Sequence, residues 1–290
     1  MDDIIRDNMW DTHIHCLDPV HYPFKPTRSY TPAPAPLEKL VESSIARNIV
    51  LVQASVEDGH SALIGHLGRI RSEYPALSVR GIISLDEHWD ALTDTNLDTL
   101  HELGVRYGRI HGTFGGGPTD ITGLNNTIEK FARSYAARKL GWGISAQLPF
   151  KTWVLLRSFL CESPEVCQLP VIIDHVGCSS PEVIGSADFG DFITLLQRRS
   201  THVKISSLYR RDESVLNMRP IIQAIATYAP AALLWGSDWP HVDSSYQDIN
   251  PPPISEAVDA RKELLAIQSW LSEEQFMAIL VDNPRRVFGS

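Results

Sequence analysis

The chain is short of cysteine, short of positive charge and without a long apolar run, and each shortage excludes a class of function. Lys and Arg number 26 against 35 Asp and Glu, a formal net charge of −9, and no basic tract gathers the cations. Nucleic acid and anionic membrane both reward clustered Lys and Arg, so neither is expected as a partner. No apolar run is long enough to span a bilayer, and the opening MDDIIRDNMW has neither the basic start nor the apolar core of a signal peptide. A cytoplasmic protein is expected. The four cysteines, Cys16, Cys161, Cys167 and Cys178, are too few for a disulfide scaffold at 290 residues and lack the paired close spacing of a structural zinc site. They read as buried thiols.

What is present is an ordinary globular composition, 43% hydrophobic and 21% charged, carrying one repeated rhythm. Short β-branched runs recur eight times: MWDTHIH, NIVLVQAS, SVRGIISL, RYGRIHG, GWGISAQL, PVIIDHVG, HVKISSLY and AALLWGSDWP. Between them lie stretches with apolar residues three and four apart, such as HSALIGHLGRIRSEYP and DFGDFITLLQRRS. Gly104 and Gly141 follow two of these as helix stop signals. Strand and helix alternating eight times predict an α/β fold, a single (β/α)8 TIM barrel over residues 1–290, better than an open sheet.

Active sites of such barrels sit at the carboxyl ends of the strands. In DTHIHCLDP, His13 and His15 are two apart at the end of the first strand and share a face. IIDHVG puts His175 at the end of the sixth strand, KISSLYRR puts Arg210 after the seventh, and WGSDWPH puts Asp238 at the end of the eighth. All four stretches open onto one mouth.

HxH on the first strand, His after the sixth and Asp after the eighth resemble the amidohydrolase superfamily. HYPFKPTRSYTP, DHVG, HVKISSLYR, WGSDWPH and the closing DNPRRVFG are similar to the branch that contains 2-pyrone-4,6-dicarboxylate lactonase and related lactonases. The resemblance implies a further metal ligand, a histidine on the fifth strand or a carboxylated lysine on the fourth; here Gln147 stands at the first place and no lysine at the second. His13, His15 and Asp238 remain as candidate ligands for a divalent cation such as zinc, three being the catalytic minimum. The branch works without a metal, so no required cofactor is the favoured expectation. Cys178 stands where that branch carries an arginine after the sixth-strand histidine, which removes one carboxylate clamp.

Lactone hydrolysis needs a base for water, polarisation of the carbonyl and a proton for the leaving oxygen. Asp238 is the candidate base, His13, His15 and His175 the donors around the carbonyl, and His241 either orients Asp238 or is an ordinary surface histidine. Lys25, Arg28 and Tyr30 in the first loop, Arg106 and Arg109 around the fourth strand, Gln147 and Arg210 are candidate substrate contacts, the arginines as forks for a carboxylate. HGTFGGGPTD brings backbone N–H groups to an anion or forms a lid; without a Lys-Ser/Thr continuation it is no nucleotide phosphate loop. The function expected is hydrolysis of a lactone or similar cyclic ester on a small anionic metabolite. Non-oxidative decarboxylation uses the same four residues and is the second expectation; an inactive barrel serving as a binding protein is the third, and it predicts loss of at least one of them. A homo-oligomer stays open, since YTPAPAPLEKL and DINPPPISEA suit either a cover over the mouth or a subunit contact.

Overall fold

The computed structural model describes residues 8–85, 89–112, 120–242 and 258–289. Eight parallel strands form one sheet in chain order: β1 Trp10–Ile14, β2 Asn48–Val52, β3 Ser78–Ser84, β4 Val105–His111, β5 Gly143–Gln147, β6 Val171–Ile173, β7 Thr201–Ile205 and β8 Leu233–Trp235. A parallel bridge between Ile14 and Trp239 joins the last strand region to the first. Asp238 N–H donates to His13 O, and His15 N–H to Trp239 O, both at 2.9 Å. The expected barrel is therefore present, with each expected run contributing its strand. Intervening helices are α1 Leu37–Ser43, α2 Ser61–Glu73, α3 Asp94–Glu102, α4 Ile121–Ala132, the short α5 Tyr135–Arg138, α6 Phe150–Glu162, α7 Ala187–Leu196 and α8 Arg219–Tyr228. Three more, α9 Ala260–Trp270, α10 Glu273–Met277 and α11 Asn283–Phe288, follow β8; the strand–helix rhythm does not announce them because no ninth strand completes the unit. Among the described residues no helix is long and apolar enough to cross a membrane. The three consecutive glycines of HGTFGGGPTD and the whole of DINPPPISEA lie outside the described residues. Of the four thiols Cys16 is buried, as expected, whereas Cys161, Cys167 and Cys178 are partly exposed.

Gly104 and Gly141 have φ of +100° and +70°, the left-handed values that stop a helix cheaply only at glycine. Side-chain alternation divides the apolar residues into two cores. Ile49, Leu51, Ile144, Ala146, Val203 and Ile205 face outward into the large layer between strands and helices. Trp10, Val50, Val52, Ile82, Tyr107, Ile172, Leu234 and Phe288 fill the barrel interior. Trp10 and Tyr107 both pack on the Phe288 ring, at 5.9 and 5.5 Å between centroids, so α11 plugs the floor.

Strict alternation from the inward Trp10 would turn His13 outward. β1 avoids this with a bulge: Asp11 lies opposite Ile49 but Ile14 opposite Leu51, three steps against two. The additional residue reverses the faces. Ile14 joins the outer core, while His13 and His15 point into the mouth with their rings 5.0 Å apart. Opposite them, a Cβ on Gly236 would lie 2.7 Å from the His13 backbone nitrogen, so only glycine lets β8 approach this strand so closely.

Candidate active site

Asp238 follows β8 with φ of +61°, and His175 follows β6 with φ of +55°. Left-handed backbone at non-glycine residues is costly and gathers where a side chain must be aimed. Asp238 Oδ1 is 3.6 Å from His13 Nε2, 3.8 Å from His15 Nε2 and 3.9 Å from His175 Nε2. Its other oxygen accepts from the Tyr209 hydroxyl at 3.1 Å and pairs with Arg210 Nη2 at 3.3 Å. Arg210 is itself braced by the Tyr209 hydroxyl and by Val242 O. One carboxylate oxygen is thus anchored, and the other faces three imidazoles.

Below this ring the barrel interior is charged. Asp174 accepts from Ser145 Oγ at 2.9 Å, pairs with Lys204 Nζ at 3.2 Å and receives Arg109 Nε at 3.4 Å. Lys204 Nζ also lies 3.1 Å from His13 Nδ1. Asp174 and Lys204 have no solvent exposure. Arg109 reaches Gln53 O at 3.2 Å and Gln147 Oε1 at 3.4 Å. Burial alone would push Asp174 up, but Lys204 foremost, with His13 and Arg109, holds it well below the carboxylate range.

Burial takes the His15 imidazole down to about 4 and His175 to about 3, so both are neutral at pH 7. Asp238 stays ionised: burial works against it, and the Arg210 charge overcomes burial and holds it well below the usual range. As neutral rings at pH 7 the neighbouring histidines add little charge, and Arg210 carries most of the effect.

By donor type the mouth fits a divalent cation. Zinc takes imidazole nitrogen and carboxylate oxygen and keeps an open position with three protein ligands. His13, His175 and Asp238 offer ligand atoms within 4.8 Å of one another, and His13 Nε2 is buried without a hydrogen-bond partner. His15 Nδ1 donates to Val52 O at 2.7 Å, because a carbonyl only accepts, and this leaves its Nε2 with the lone pair a metal or a proton needs. Among the described residues the donors that converge are therefore His13, His175 and Asp238, with His175 in the place expected of His15 and Gln147 outside the group. Gln147 lines the pocket as a partner of Arg109.

The cleft above is lined by His15, Tyr30, Arg109, Gln147, His175, Arg210 and Asp238 among the anticipated residues. His13 sits beneath it. His241 is placed behind Asp238, its N–H donating to Asp238 O and its ring edge on Tyr209 at 5.9 Å, outside the cleft lining. Lys25 and Arg28 stay within the first loop: Arg28 donates to Thr31 Oγ1 and to Lys25 O, and neither lines the cleft. Arg106 leaves the candidate set. It sits in the irregular step of β4 between Val105 and Tyr107, donates to His101 O and Val105 O, and does not line the cleft. Cys178 is also absent from the cleft lining. Residues that sequence reasoning missed are His111 and Ser55 in the cleft wall, and Asp174, Lys204 and Tyr209 behind it. Alternation from Arg109 points to His111, and a lysine between Val203 and Ile205 is a signal for Lys204.

An eight-stranded barrel with imidazoles and an ionised aspartate converging at its carboxyl mouth defines a hydrolytic, water-activating class of enzyme. The chain belongs to the Amidohydrolase family, whose model matches residues 10–290, and is a hydrolase of that superfamily. It is 29% identical to the 4-sulfomuconolactone hydrolase of Hydrogenophaga intermedia, covering 99% of this chain and 90% of that one. Identity to the 2-pyrone-4,6-dicarboxylate hydrolase of Comamonas testosteroni is 25%, over 96% of this chain and 89% of the relative. An Agrobacterium tumefaciens crystal structure without ligand superposes with a TM-score of 0.76 at 18% identity, covering 99% of this chain and 97% of that one, which speaks for the fold alone.

Proposed function

We propose that the enzyme opens the lactone of a small, ring-derived metabolite that carries a carboxylate or comparable anion. The observation that carries this is the charge of the cleft lining: among the described residues Arg109 and Arg210 line it against Asp238, with His15 and His175 neutral. The surplus of one cation, on side chains largely buried from solvent screening, suits an anionic ligand. Relatives named for a sulfomuconolactone and a pyrone dicarboxylate share that chemistry, a cyclic ester bearing a strong anion.

In this mechanism Asp238 Oδ1 takes the proton of the attacking water, while Tyr209 and Arg210 keep Oδ2 from turning toward it. The oxyanion forming on the carbonyl is met by imidazole N–H and by Arg109, each such donor being worth on the order of 3 kcal/mol in the transition state. The proton held on Asp238 then passes to the leaving ring oxygen. A divalent cation held by His13, His175 and Asp238 would supply Lewis-acid polarisation and a more acidic water, and would need His13 Nε2 unprotonated. The mouth already has a cation surplus, and two further positive charges would add to it, so turnover without an ion is the favoured form.

Incubation of the pure protein with neutral and carboxylated lactones, following base uptake and carbon dioxide together, tests the proposal. Ring opening of carboxylated lactones without gas release is expected. Carbon dioxide release from aromatic or muconate-like acids, with no lactone opened, would replace hydrolysis by non-oxidative decarboxylation.

A further inference from the structure

We propose that Lys204 is a positioning residue that fixes the tautomer of His13, so that this imidazole enters the mouth as an Nε2–H donor and is withheld from metal coordination. An ammonium has three N–H bonds and no lone pair, so a partner at hydrogen-bond distance must accept. Lys204 Nζ stands 3.1 Å from His13 Nδ1 and 3.2 Å from Asp174 Oδ1. Two of its protons are directed to these atoms.

The competing arrangement has His13 Nδ1–H donating to Asp174, the usual support for a metal-bound histidine. Asp174 Oδ1 is 3.5 Å from His13 Nδ1, longer than its approaches to Ser145 Oγ and Lys204 Nζ, and that oxygen already receives both. With Nδ1 accepting, the ring's single proton in its neutral form is on Nε2. This is the atom 3.6 Å from Asp238 Oδ1 that lacks a protein partner, and a protonated Nε2 has no lone pair for a cation. It does have a proton for an oxygen placed between the ring and Asp238. His15 differs in kind: its Nδ1 faces a carbonyl, so its Nε2 lone pair is free. The two histidines of HxH therefore carry opposite tautomers on one face of one strand.

The tautomer follows from these contacts whatever ring is opened; only its use against an oxyanion rests on the hydrolase proposed above. Long-range ¹H–¹⁵N spectra of uniformly labelled protein, with His13 assigned by His13→Gln, read it without substrate. The expected result is an unprotonated Nδ1 and a protonated Nε2 at His13, with the reverse at His15. A protonated His13 Nδ1 in the native protein overturns the proposal, and this measurement needs no altered Lys204. In Lys204→Met the vacated acceptor on Asp174 becomes available, so His13 is expected to move its proton to Nδ1 and zinc affinity, measured by competition with a chromophoric chelator, to rise at least about tenfold. A folded Lys204→Met protein with unchanged spectrum and zinc affinity also overturns it. Native protein that shows the Nε2–H signal yet opens no lactone would sustain the tautomer and count against the hydrolase alone.

Discussion

Replacing Glu57 by glutamine should stabilise the protein, and by an amount that depends on pH. Glu57 is 8% exposed, and its Oε2 accepts the Ala54 N–H at 2.9 Å. Burial pushes its carboxyl from an ordinary 4.5 up to about 8, with that hydrogen bond in opposition. A carboxyl raised in the folded state binds a proton that the unfolded chain has released, so stability falls as pH rises above 4.5 and levels off only near 8. At 1.36 kcal/mol per pH unit, less rounding at the lower end, the loss between pH 5 and 7 is about 2.5 kcal/mol. The introduced amide would still accept from Ala54 and never ionises, so Glu57→Gln removes the loss while keeping the bond. Thermal unfolding of both proteins at pH 5 and pH 7 measures it. The variant's advantage should widen by roughly 5–10 °C between the two, taking about 2–4 °C per kcal/mol for a chain of this size. An advantage that is the same at both values, or a variant less stable at pH 7, would refute the assignment of a neutral buried Glu57.

Asp238→Asn should lower turnover by at least about a hundredfold with circular dichroism unchanged, since loss of a general base costs 10²- to 10⁴-fold; wild-type turnover in the folded variant would remove Asp238 from the base role. Arg210→Ala should depress kcat and raise KM for a carboxylated lactone together, because this guanidinium touches Asp238 as well as lining the cleft; a change in KM alone, absent with the neutral ester, would make it a substrate clamp only. Protein treated with a strong chelator and assayed in metal-free buffer should keep most of its activity. Activity that vanishes and returns with stoichiometric zinc would make Asp238 a ligand as well as the base for a bound water.

The barrel is legible in the sequence because its strands are short, β-branched and evenly spaced, and because the fold puts chemistry at strand ends. His15, His175 and Asp238 follow from that placement. Arg106 does not belong with Arg109, and its place depends on an irregular step of β4 between Val105 and Tyr107 that the residue pattern does not announce. The charged layer under the mouth is less legible: Lys204 and Asp174 are 30 positions apart, and only the closure of the barrel brings them together with Arg109 and Ser145. The metal question turned on a similar limit. Gln147 is visible as a missing histidine, whereas the compensating approach of His175 Nε2 depends on the left-handed turn after β6.

The bulge in β1 makes chain length, rather than residue identity, the quantity on which the first strand's contribution depends. Deleting Thr12 removes the bulge, and plain alternation from the inward Trp10 then still holds both imidazoles at the mouth, whereas one residue inserted between Asp11 and Ile14 delivers them to the greasy layer under the helices. In a mutational library this segment should tolerate loss of the residue at position 12 better than any gain beside it, and drift among descendants of this sequence should show the same bias.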